Sequence, residues 1–176
     1  VTSDLSYPIG RFQRPAAVSD AAFVAAVDAI RRLPGALRQA VDGWTSEQMS
    51  TPYRPGGWTA TQVVHHVADS HMQAYGRCKM ALTAEVPVIT PYDEARWATL
   101  ADTAGTPVAV SLTLLDALHQ RWTTLLVSLT PEGKVRTFRH PETGVWRVEE
   151  VALLYAWHGA HHLGHVTGLA ERSGWR

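Results

Sequence analysis

The chain has 176 residues, 45% of them hydrophobic and 18% charged, which suits one folded domain with a single sizeable core and excludes a disordered chain. Sixteen Lys and Arg balance sixteen Asp and Glu, so the net charge is zero and the basic excess of a nucleic-acid binder is missing. One cysteine, Cys78, excludes an intrachain disulfide and suits a reducing compartment. Val1 to Arg14 has no apolar core like that of a secretory signal, and no run approaches the ~20 apolar residues of a membrane span. A cytoplasmic protein is expected, with no membrane or nucleic-acid partner.

Residues 1–17 carry Pro8, Gly10 and Pro15 and read as an extended arm of a single domain covering 1–176. From Ser19 the pattern turns helical, with Phe23, Val24, Val27, Ile30 and Leu33 at three- and four-residue steps. Pro34 is expected to break or kink this helix, which Leu37 to Val41 resume. Thr45 to Met49 reads as one short helical turn, and Pro52 to Gly57 as a loop. Thr59 and Gln62 have the T-x-x-Q spacing of a capping box, which predicts a helix from Thr59 to about Thr83. Val86 to Thr106 reads as loop with a short helix near Asp93 to Ala98. Pro107 to Leu129 predicts a third long helix, with Leu112, Leu115, Leu118, Trp122, Leu125 and Leu129 as its apolar stripe. Thr137 to His140 and Val145 to Val148 flank Pro141–Gly144 and predict a small hairpin. Glu149 to Arg172 predicts the last helix. The fold expected is all-α: a four-helix bundle with long connections and a small β-hairpin before the last helix.

Seven of the nine histidines fall in two segments, His65-His66-Val67-Ala68-Asp69-Ser70-His71 and His158-Gly159-Ala160-His161-His162-Leu163-Gly164-His165. Both lie within predicted helices. At roughly 100° per residue, His158 and His162 share a face one turn apart, a spacing that lets two imidazoles converge on one ion. His161 and His165 lie within about 60° of the same face, so spacing alone leaves them open as alternatives. Three neutral imidazoles leave coordination positions free, which is the catalytic pattern, whereas a closed four-ligand site is structural. Imidazole suits Zn, Ni, Fe or Cu. The bland alternative is a set of exposed or core-satisfied histidines. A haem pocket is a further one, although nothing singles out axial ligands. Di-iron chemistry wants inward Glu residues, and the last helix has no carboxylate between Glu150 and Glu171. H-E-x-x-H, C-x-x-C, P-loop and G-x-S-x-G motifs are all absent.

Gly57-Trp58-Thr59 with Val63-Val64-His65-His66-Val67-Ala68-Asp69-Ser70-His71, and Tyr155-Ala156-Trp157-His158-Gly159-Ala160-His161-His162-Leu163-Gly164-His165, resemble the DinB/YfiT-like superfamily of metal-binding helical bundles. Tyr7 to Phe12 and Thr51-Pro52-Tyr53-Arg54 resemble its YfiT branch, so the resemblance covers almost the whole chain. It implies one divalent ion, Zn or Ni foremost, held by His66, His158 and His162. The superfamily's first motif has its His before a small apolar residue, which matches His66 and not His65. The position of His165 is often glutamine there, which implies a role behind the ligands or toward substrate. The resemblance further implies a metal-dependent hydrolase, or an S-transferase using a low-molecular-weight thiol such as bacillithiol or mycothiol. Either acts on a small-molecule substrate, commonly as a homodimer. A non-catalytic metal- or ligand-binding stress module is the alternative.

Asp69, three residues after His66, is expected to accept a hydrogen bond from a ligand imidazole, or else to be a solvated helix residue. His65 and His71 point away from His66 on the helix wheel and read as structural or interfacial. Arg54 reads as a loop-surface residue with a possible thiol-carboxylate role. Tyr92, Asp93 and Trp97 are candidates for a pocket mouth. Trp58, Trp122 and Trp157 read as core, and Cys78 as a buried small hydrophobe.

Overall fold

The first long helix, α1 (Asp20–Ala40), begins where Ser19 offers its hydroxyl oxygen to the Ala22 N–H, a side-chain cap that satisfies one free donor. The computed structural model describes residues 4–175. Pro34 does not break α1, which runs on to Ala40. The proline deprives the Ile30 carbonyl of its helical donor, and His119 Nδ1 fills that place at 2.6 Å.

A reciprocal capping box, Thr45 with Gln48, starts α2 (Ser46–Met49), and the one formed by Thr59 and Gln62 starts α3 (Ala60–Thr83). The long connection that follows holds α4 (Glu94–Trp97) and also α5 (Ala101–Gly105). The latter was not expected, because its cap residue, Leu100, has no capping side chain. Next come α6 (Val108–Val127), α7 (Pro131–Lys134) and a hairpin of β1 (Thr137–His140) and β2 (Gly144–Arg147), antiparallel with Phe138 opposite Trp146. Gly144 enters β2 at φ 83°, a left-handed conformation that favours glycine. The last helix, α8 (Val148–Ser173), ends at Gly174, also left-handed.

The four long helices close a ring in which α1 packs on α6 and α8, and α3 packs on the same two. Gly159 makes the α1–α8 contact possible, since a Cβ there would approach Leu33 Cδ2 to 2.4 Å. Residues 4–18 form no helix or strand; Arg14 ties this arm to Glu150 at 2.7 Å, and Pro8 rests against Gly164. One apolar cluster holds Ile30, Ala74, Trp122 and Tyr155, and the other holds Leu37, Val67, Leu115 and Val166. Between them in sequence, on the same inward stripes, come His71 on α3, His119 on α6 and His158 and His162 on α8. The bundle therefore carries a histidine layer between two apolar layers. No helix among the described residues is long and apolar enough to cross a membrane.

Candidate metal centre

His66 projects from α3 toward His158 and His162 on α8, and one ring nitrogen of each lies within 4.8 Å of the other two. His66 Nε2 and His158 Nε2 are 3.3 Å apart. The His162 ring centroid stands 4.8 Å from that of His66 and 4.4 Å from that of His158. His66 and His162 are buried and His158 partly so. His65 is turned away, its ring nitrogens meeting Ser111 Oγ at 2.7 Å and the Thr106 carbonyl at 3.1 Å. One residue of helix rotation separates an imidazole in the cluster from one spent on α6 and its leading loop.

Burial is the main reason these imidazoles resist a proton. It pushes His66 down to about 4, with the neighbouring His161 adding to the effect. His158 and His162 are held well below their ordinary value by burial first, then by the imidazoles around them. Neutral imidazole is the form that offers a nitrogen lone pair to a metal.

His161, His162 and His165 form a second, overlapping triple of the same compactness. His165 stands behind His162, their Nδ1 atoms 3.4 Å apart, with its Nε2 3.4 Å from the Ser6 carbonyl and its ring stacked on Tyr53 at 3.9 Å. Asp69 makes no hydrogen bond with a described imidazole. It is only half-buried, and its carboxyl is raised by burial and then by Asp102. The nitrogen behind His158 belongs instead to His71, whose Nε2 lies 3.2 Å from His158 Nδ1. His71 is thus internal, away from any surface of the described chain. Its signal in the sequence is its place on the Val67–Ala74 stripe. His119 has the same signal, between Leu115 and Trp122.

The cluster opens into a cavity of about 420 Å³ walled by Trp58, Tyr92, Tyr155, Trp157, Arg77 and Glu94 among others. Trp58 is half-buried: it packs against the apolar cluster of Leu37 and Val67 and also lines the cavity, with its ring 4.6 Å from that of His66. Trp157 likewise lines the cavity and stacks on His161 at 4.7 Å, whereas Trp122 is fully buried in the core. Tyr92 reaches the cavity with Trp97 packed against it, while Asp93 caps α4 through the Arg96 N–H. Arg54 stays within its loop, donating to the Tyr53 hydroxyl and the Pro55 carbonyl. Burial raises the Cys78 thiol to about 12, so it is an inert core group.

The buried histidines set an acid limit on stability. His119 falls from an ordinary 6.5 to about 4 in the folded chain, mainly through burial. Between those values the unfolded chain binds the extra proton, so stability is full above about pH 6.5 and falls as the pH drops toward 4. One such group costs about 3 kcal/mol by pH 4. Urea unfolding of the metal-free protein at several pH values checks this, and a midpoint flat from about pH 7.5 to 4.5 would contradict it.

Four long helices, a hairpin before the last, and imidazoles converging from two of them define the class: a helical bundle built around a buried histidine cluster beside an open cavity. A profile described as the DinB superfamily matches residues 29–166, and the chain belongs to that DinB/YfiT-like superfamily. A relative from Oceanobacillus iheyensis, named "putative metal-dependent hydrolase", is 47% identical over 169 residues, covering 96% of this chain and 98% of that one. A Bacillus mycoides protein of the same name is 47% identical over 172 residues, with 98% and 99% covered. A solved structure, described as "YfiT from Bacillus subtilis is a probable metal-dependent hydrolase with an unusual four-helix bundle topology", superposes with a TM-score of 0.96 at 45% identity. It covers 98% of this chain and 99% of its own.

Proposed function

We propose that His66, His158 and His162 hold one divalent metal ion, Zn or Ni, and that the protein is a metal-dependent enzyme acting on small electrophiles. It works as a hydrolase, or as an S-transferase with a low-molecular-weight thiol. The observation that carries the reading is the 3.3 Å between the His66 and His158 Nε2 atoms. Donors bound at about 2.0–2.1 Å to one ion, at tetrahedral or octahedral angles, stand about 2.8–3.4 Å apart. The donor set fits as well: three neutral imidazoles, from two helices, at the wall of a cavity that leaves room for further ligands. A divalent ion there supplies Lewis acidity, which lowers the pKa of a water or thiol it binds. Trp58 and Tyr155 give the cavity apolar walls, and its volume suits a small molecule. The names of the relatives support the hydrolase version, and resemblance to the YfiT branch supports thiol transfer and a homodimer.

A non-catalytic metal-binding module is the second reading. The overlapping His161, His162 and His165 triple favours it, because those residues supply donors that would close the coordination sphere. The test is to incubate zinc- or nickel-loaded and chelated protein with a bimane electrophile, with and without several cellular thiols, and separately with simple esters and amides. Conjugation above the thiol-only rate supports the transferase, and thiol-independent cleavage supports the hydrolase. Neither, with metal tightly held, supports the binding module.

A further inference from the structure

Three consecutive hydrogen bonds run from His158 into the bundle, and each has one permitted direction. The last acceptor is the Ile30 carbonyl, 2.6 Å from His119 Nδ1. A carbonyl has no proton to give, so His119 Nδ1 carries the hydrogen. The usual donor to that carbonyl, the backbone N–H four residues on, is missing because residue 34 is proline. With its proton on Nδ1, neutral His119 has a bare Nε2, which accepts from His71 Nδ1 at 2.9 Å. His71 Nε2 is bare in turn and accepts from His158 Nδ1 at 3.2 Å. What is left on His158 is a bare Nε2, the atom that faces His66 Nε2. The path crosses all four long helices, from α8 through α3 and α6 to α1.

The surroundings enforce this sequence of bonds. His71 and His119 are 0% and 1% exposed, so water does not compete for their nitrogens. Burial holds His119, the ring that sets the direction of the other bonds, in the neutral form that the alternation of donor and acceptor requires. No carboxylate hydrogen-bonds to any of the three among the described residues. The place a carboxylate often takes behind a ligand histidine is filled by two imidazoles ending on a carbonyl that proline has freed.

We propose that His71 and His119 are positioning residues that lock His158 in its Nδ1–H tautomer and aim its Nε2 lone pair at the metal. The inference rests on the metal reading above. Its signature is distinctive, because neutral imidazole in water carries its proton mainly on Nε2, and here three successive histidines carry it on Nδ1.

The first experiment reads the tautomers of metal-free wild type by long-range proton–nitrogen NMR with labelled imidazoles. His71, His119 and His158 are expected to show protonated Nδ1 and bare Nε2; a protonated Nε2 on any of them overturns the proposal. The second measures zinc affinity by competition with a chelator in His71→Phe, His119→Phe and His119→Gln, with circular dichroism and thermal midpoints read alongside. Both Phe variants are expected to bind zinc about ten- to a hundredfold more weakly. His119→Gln keeps an oxygen where Nε2 accepts, and it should recover most of the loss. Wild-type affinity in the folded Phe variants, or equal losses in His119→Phe and His119→Gln, overturns the proposal. Failure of wild type to bind zinc or nickel would sink the metal reading instead, and the tautomer spectrum would then decide the relay by itself.

Discussion

Replacing His158 with alanine is expected to strip the protein of its metal, whereas replacing His161 is expected to leave the metal in place. The two compact triples share His162, so variants of that residue do not separate them. His66 and His158 belong to one triple only, and His161 and His165 to the other. The first triple joins two helices, so an ion there is gripped across the α3–α8 contact. In the second, all donors come from one turn of α8; His165 is otherwise engaged, while the buried Nδ1 of His161 has no hydrogen-bond partner among the described residues. His161 lies flat on Trp157 with an interplanar angle of 19°, and His165 is stacked on Tyr53 and paired with the Ser6 carbonyl. Losing one of three donors should weaken binding by more than the ~10–100-fold that an outer partner is worth. Metal analysis after exhaustive dialysis should find about one ion per chain in wild type and in His161→Ala, and almost none in His66→Ala and His158→Ala. The reverse pattern would move the site to the second triple.

A second large effect is expected on stability. Trp122 is fully buried in the apolar layer next to the histidines, with ring centroids 5.6 Å from Tyr155, 5.8 Å from His71 and 6.1 Å from His119. Trp122→Ala removes that packing and leaves a cavity, because four long helices cannot all move inward to fill it. The cost is about 3–5 kcal/mol. Urea unfolding of the metal-free protein measures it, and Trp122→Phe should lose less, since it keeps most of the ring surface. A loss below about 1 kcal/mol for Trp122→Ala would mean that the layer repacks freely, against the close packing of such interiors.

Much of this molecule was legible in its sequence because the relevant physics is local. Thr59 and Gln62 announce the start of α3 through a bond pattern that closes within four residues. His158 and His162 share a face because helix geometry alone puts them there. The choice of His66 over His65 came from resemblance to a family, since spacing did not separate two adjacent residues. Their different surroundings now do: the His65 ring is spent on Ser111 and Thr106, elements that meet α3 only in the folded chain.

Where the sequence reading went astray, the deciding contact lay across the bundle. Asp69 has the right chemistry and the right distance from His66 along α3, yet it makes no hydrogen bond with a described imidazole. Trp58 reads as core and does pack against one apolar cluster, but the cavity beside His66 takes its other side. His119 stands alone among leucines, with no second histidine nearby to mark it. By itself, then, the sequence determined the long helices and the shared face of His158 and His162, and it placed in the first of them a proline expected to break or kink it. Only the tertiary structure decided that His66 meets that face, and that His119 supplies the donor missing at the Ile30 carbonyl. Helical hydrogen bonds span four residues, whereas these partners are brought together by packing between helices far apart in the chain.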